Sequence, residues 1–89
     1  MEPSFIFVHT RFCGTCQLAW KMLETIEQLS NQEVFYELNA SFFPTWMQKQ
    51  QIESVPCLLI VQQGVVKEKI YAFKSVAHIY SYVLNNQKV

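Results

Sequence analysis

Eighty-nine residues with a formal net charge of zero, 51% hydrophobic and 16% charged, describe one small packed domain over 1–89 rather than a disordered chain. Charge balance of this kind gives no sign of nucleic acid or an anionic membrane as a partner, and the longest apolar runs are too short to span a bilayer. Three cysteines, an odd number, do not suit a secreted disulfide scaffold; Met1-Glu2-Pro3 runs into an apolar stretch with no basic start and no small-residue cleavage site, so the expectation is a soluble cytoplasmic domain.

Ser4 to His9 is nearly continuous in apolar and aromatic residues, which predicts a central strand buried on both faces. A helix is expected from Cys13 or Gly14 to Ser30, with Leu18, Met22, Ile26 and Leu29 as its buried stripe and Ala19 and Leu23 beside it. Ser30-Asn31-Gln32 ends it in a polar turn. Glu33 to Asn39 reads as a second strand, parallel to the first through a right-handed crossover. Pro44 suits the first turn of a short helix reaching to about Gln51. The spacing of Phe43, Trp46 and Met47 places at least two of Phe42, Phe43 and Trp46 in the core; the alternative is an exposed docking patch. Val55 before Pro56 is extended. Cys57 to Gln62 is a third strand, Gln63-Gly64 a tight turn, and Val65 to Ala72 a fourth strand at the sheet edge. Ser75 caps a last helix with Val76, Ile79, Tyr80 and Val83 buried, ended by Asn85 and Asn86. The order is β-α-β-α-β-β-α, an α/β arrangement with helices on both faces of a four-stranded mixed sheet.

The chemistry concentrates in Phe12-Cys13-Gly14-Thr15-Cys16, where a strand gives way to a helix. Two cysteines two residues apart in that setting read as a redox dithiol. The first turn of a helix offers unpaired N–H groups and the positive end of the dipole, and both favour a thiolate. Cys13, nearer the helix start, is assigned as nucleophile and Cys16 as the resolving thiol. Arg11 is a solvated arginine or a source of positive field. Half of a zinc site is the competing reading, with Cys57, His9 and His78 the remaining cysteine and histidine candidates; their spacing matches no common ligand pattern, so neither metal nor cofactor is expected. Cys57 is a buried small apolar residue, or else an auxiliary thiol or third ligand. His9, at the end of the first strand, is a packing residue, or sits below the turn and tunes it.

Taken together, Phe12-Cys13-Gly14-Thr15-Cys16, Leu38-Asn39, Ser54-Val55-Pro56 and Gln63-Gly64 resemble the thioredoxin superfamily over almost the whole chain. The resemblance implies a thioredoxin-like three-layer α/β/α fold of minimal, glutaredoxin-like size. It also implies that Pro56 is a cis-proline across from Cys13, leaving the Val55 backbone free to pair with substrate. Several tuning residues differ. Phe12 and Thr15 stand where thioredoxins have Trp and Pro, Phe7 where they keep a buried acid on the central strand, and Ala72 where they have a late glycine.

The expected activity is thiol-disulfide exchange with protein or low-molecular-weight disulfides, with Phe12, Gly14, Thr15, Val55 and Pro56 contacting substrate. The expected partners are disulfide-containing proteins and a reductase or small thiol as electron donor, with the chain a monomer or a dimer. The alternative is a non-catalytic thioredoxin-fold module binding a metal or partner protein at a Cys13/Cys16/Cys57 rim.

Overall fold

The computed structural model describes residues 3–87. The expected domain over 1–89 extends past them at both ends, and Met1 and Glu2, on which the reading of the N-terminus rests, lie outside them. The elements are β1 (Ser4–His9), α1 (Gly14–Ser30), β2 (Phe35–Asn39), a 3₁₀ turn (Ala40–Phe42), α2 (Pro44–Lys49), β3 (Cys57–Gln62), β4 (Val65–Ile70) and α3 (Val76–Gln87). The sheet order is β2-β1-β3-β4. β1 runs parallel to β2, with Phe7 opposite Glu37, and antiparallel to β3, with Phe7 opposite Leu58. β4 pairs antiparallel with β3 at the edge, with a bulge near Ile60 and Val61. The mixed sheet and element order are those expected from the sequence.

Alternation along the two central strands divides the interior. Phe5, Phe7, Leu58 and Ile60 face α1 and α3, where they meet Cys16, Ala19, Leu23, Ile26, Ile79 and Val83. Val8, Cys57 and Leu59 face the other way, with Ile52, against Trp46 and Met47 of α2. Two helices therefore cover one face and one short helix the other. Among the described residues no helix is long and apolar enough to cross a membrane.

Local chemistry moves several boundaries. β2 begins at Phe35 rather than Glu33, because the Glu27 carboxylate accepts the backbone N–H groups of Val34 and Phe35, at 2.8 and 3.1 Å. α2 stops at Lys49, two residues before the expected end. Gln51 then takes φ 57° and the Ile52 N–H returns to the Met47 carbonyl at 3.0 Å, a Schellman closure. α1 closes the same way, with Asn31 at φ 57° and the Gln32 N–H on the Glu27 carbonyl. Gln63 and Gly64 both have positive φ, 54° and 76°, the pattern of a two-residue type I′ hairpin turn. β4 ends at Ile70, short of Ala72. α3 is capped as expected, the Ser75 hydroxyl accepting the His78 N–H at 3.0 Å; it continues past Asn85 and Asn86 to Gln87. Of its expected stripe, Ile79 and Val83 are buried and Val76 and Tyr80 half-buried.

Two expected core assignments are overturned. The buried residues of α1 are Cys16, Ala19, Leu23 and Ile26, while Leu18 and Leu29 are 62% and 64% exposed. The helix turns Cys16 inward, and Leu18 lies about 200° around the axis from it. Leu18 and Met22 instead line a surface groove beside Pro56. In the aromatic group before β3, Phe42 and Phe43 are exposed and only Trp46 packs inward. The 3₁₀ turn carries the chain outward there, so spacing measured as α-helix does not apply.

Candidate active site

α1 begins at the dithiol. Cys13 is its N-cap, in extended backbone conformation (φ −120°, ψ 106°), and its Sγ accepts the Cys16 N–H at 3.1 Å. The Cys13 carbonyl accepts the first helical bond, from Gln17, at 3.2 Å. A sulfur thus does what a Ser or Asp oxygen does at ordinary helix starts. The Thr15 hydroxyl stands 3.4 Å from the same sulfur. Cys16 lies one turn on, 5.1 Å away between Cα atoms, with the two sulfurs at disulfide distance.

The two sulfurs differ in access. Cys13 is partly exposed, whereas Cys16 is 3% exposed and belongs to the core facing Phe7 and Leu58. Phe12, in the turn before them, is 95% exposed. Gly14 needs neither positive φ nor extra room, because a Cβ there would meet nothing within 4 Å. The turn does not require a glycine here; its missing side chain keeps the space beside Cys13 open.

Val55–Pro56 is a cis peptide bond, as the resemblance implied. Pro56 and Thr15 line one shallow groove, with Leu18, Met22, Tyr71 and Phe73. The structure therefore brings the two distant motifs to one surface. Tyr71 and Phe73, from the irregular segment that follows β4, are groove residues that the sequence reading missed. Their signal was weak: an aromatic pair around the exposed Ala72, beyond the end of the edge strand.

On the other side of the dithiol lies a cavity of about 500 Å³ that opens to solvent. Cys16 and Phe7 form its inner wall, with Trp20, another residue the sequence reading passed over. Phe7, in the position the resemblance gives to a buried acid, stacks on Trp20 and His9 with ring centroids 5.5 Å apart in both cases; Phe73 meets its edge at 5.9 Å. Among the described residues no polar or charged side chain is fully buried. His9 stacks on Phe7 and also reaches a carboxylate: its Nε2 is 3.2 Å from Glu37 Oε1.

Cys57 does not join the site. It follows Pro56 directly, but the strand pleat turns it to the α2 side with Val8 and Leu59, away from Cys16. There it is fully buried, and burial pushes its thiol up to about 11 against weaker opposing effects of Tyr71, the Ile70 backbone and Lys69. The alternative rim of Cys13, Cys16 and Cys57 is therefore not formed. Among the described residues, no group of three His, Cys, Asp or Glu side chains is placed to hold a metal ion.

Known proteins are similar to this chain in sequence and fold. The sequence pattern of the thioredoxin family matches residues 2–85. The thioredoxin-like protein YusE of Bacillus subtilis (strain 168) is 42% identical over 78 residues, spanning 88% of this chain and 74% of that protein. A mutant thioredoxin from Halobacterium salinarum NRC-1 superposes with a TM-score of 0.83 at 12% identity, over 99% of this chain and 77% of that one. Oxidised thioredoxin from Plasmodium falciparum gives 0.75 at 14% identity, over 94% and 80%. The two structures speak for the fold, and the family pattern and YusE for descent. With a dithiol suited to a redox role at the head of α1 and a cis-proline beside it, this chain belongs to the thioredoxin family.

Proposed function

We propose that the protein is a thiol-disulfide oxidoreductase acting on disulfide-containing proteins or small mixed disulfides, with Cys13 as nucleophile and Cys16 as resolving thiol. The observation that carries this reading is the difference in access between two sulfurs one helical turn apart. Cys13 is partly exposed at an N-cap, and Cys16 is enclosed behind it. A thiolate on Cys13 is held by the Cys16 N–H and the helix N-terminus, which is the condition for nucleophilic sulfur at neutral pH. It attacks a substrate disulfide, forming a mixed disulfide and expelling one substrate thiolate. Cys16, as thiolate, then attacks Cys13 Sγ; the internal disulfide forms and the second substrate thiolate leaves. The dithiol loses two electrons and the substrate gains them. A reductase or low-molecular-weight thiol restores the dithiol.

The groove beside Pro56 supports substrate docking by backbone and apolar contact, because its lining carries no charge. Phe12, Gly14, Thr15, Val55 and Pro56 are the proposed contacts. The proposed setting is the cytoplasm, where a reducing donor is present.

Insulin reduction with dithiothreitol as donor tests the reading. Cys13→Ser should abolish turnover, and Cys16→Ser should accumulate a mixed disulfide visible by intact mass. Equal activity in wild type and both variants would falsify it.

A further inference from the structure

The resolving thiol poses a chemical problem. Cys16 is 3% exposed, yet it must lose a proton before it can attack Cys13. Among the described residues no buried acid or base stands beside it, since no polar side chain is fully buried. Cys16 is also absent from the lining of the Pro56 groove, but it does form part of the wall of the cavity on the opposite side. The cavity and the groove therefore open on different faces of the dithiol.

Five titratable groups besides Cys16 line that cavity: His9 from β1, Arg11 from the turn, Lys21 and Glu24 from α1, and Glu37 from β2. Lys and Arg are already protonated at neutral pH, and ordinary carboxylates hold protons too weakly to receive one from a thiol. An imidazole is the side chain matched to that range. His9 is 23% exposed and held on two sides. Its ring stacks on Phe7, and its Nε2 meets Glu37 Oε1 at 3.2 Å. A neutral imidazole donating Nε2–H to the carboxylate presents Nδ1 as its acceptor. Glu37 and Glu24 bring negative charge to the cavity that the ring faces, and Arg11 and Lys21 bring positive charge. A cavity of about 500 Å³ is large enough for a short chain of water between thiol and imidazole.

We propose that His9, oriented by Glu37, receives the Cys16 proton during resolution. This rests on the assignment of Cys16 as resolving thiol above. In the mixed disulfide, the Cys16 S–H proton passes through cavity water to His9 Nδ1. The Cys16 thiolate attacks Cys13 Sγ, the internal S–S bond forms, and the electron pair of the breaking bond leaves with the substrate thiolate. His9 then returns its proton to bulk water at the cavity mouth. His9 and Glu37 act through Cys16 and touch no substrate.

Stopped-flow reaction of the reduced protein with 5,5′-dithiobis(2-nitrobenzoate) separates the steps, because each releases one coloured thiolate. The first release reports attack by Cys13, and the second reports resolution by Cys16. In wild type, the ratio of second to first rate should rise with pH through an inflection. In His9→Phe, which keeps the stack on Phe7, that ratio at pH 7 should fall by about tenfold or more and the inflection should vanish. His9→Gln should behave alike and covers the case in which the Phe variant fails to fold. Glu37→Gln, by removing the carboxylate that orients the ring, should lower the ratio at pH 7 by less than His9→Gln does. A wild-type ratio and pH profile in His9→Gln overturns the role of His9. Failure of wild type to release either thiolate overturns the parent reading instead.

Discussion

Cys57 shows how one pleat decides the chemistry of a thiol. Val8, its partner across the β1–β3 ladder, is as buried as it is, and desolvation disfavours its thiolate, raising it from 9.0 to about 11. Native reduced protein treated with iodoacetamide at pH 8 should therefore carry label on Cys13 and none on Cys57 until denaturant is added; labelling of Cys57 in the native state would contradict its burial. The same shift has a pH signature. Between the unfolded value of 9.0 and the folded value of about 11, the unfolded chain has lost the proton and the native chain keeps it, so stability falls as pH rises. At about 1.4 kcal/mol per pH unit the loss across that window is about 2 to 3 kcal/mol. Urea titrations of the oxidised protein at pH 8 and pH 11, set against Cys57→Ala, should show that share of the decline missing in the variant. Parallel curves would refute it. The sequence could not choose between the auxiliary-thiol and buried readings of Cys57, because adjacency to Pro56 says nothing about the face of the sheet; only register with β1 settles that.

Helix ends make the same point for elements. α1 and α2 both finish in a left-handed residue followed by an N–H that returns five residues back. Asn31 suits that position and was readable as a stop. Gln51 does not, and the sequence ran α2 through it. Its Cβ is strained at φ 57°, while its carbonyl is tied to Lys69 Nζ at 3.3 Å. Gln51→Gly keeps the carbonyl and relieves the strain, less what it adds to the entropy of the unfolded chain. It should raise stability by about 0.5 to 1 kcal/mol in urea unfolding; a loss of stability would show that the Gln side chain holds the turn. The long, regular elements were legible for clear reasons. β3 is bounded by Pro56 and Gly64, and α1 by the cysteine turn and Asn31. The buried face of α1 was not. Two apolar rows share Ile26, and composition cannot tell that Leu18 and Met22 serve the groove while Cys16 and Ala19 serve the core. His9 was visible only as two open alternatives, since its pairing with Glu37 depends on the parallel register of β1 and β2.

At the scale of the molecule the two faces of the sheet are unequally held. Among the described residues, twelve fully or nearly fully buried residues gather on the side of α1 and α3, against four on the side of α2. The α1 side carries the dithiol, so the candidate site is built on the better-packed half. On the other side α2 has six residues, too few to persist as a helix without packing. Trp46 and Met47 seat it half-buried, and Phe42 and Phe43 before it face solvent. That asymmetry predicts a hierarchy of opening. Amides of α2 should exchange with deuterium through a local opening that leaves the sheet intact, while amides of β1 and β3 should exchange only with global unfolding. Trp46→Ala should make the α2 amides exchange faster and change the urea midpoint little. Leu23→Ala, which empties a fully buried site between α1 and the sheet, should lower global stability by about 2 to 5 kcal/mol and carry the β1 and β3 amides down with it. Equal exchange free energies in α2 and β1, moving together in both variants, would mean that the thin face unfolds only with the whole. The dithiol would then ride on a single cooperative unit rather than on the firmer half of a divided one.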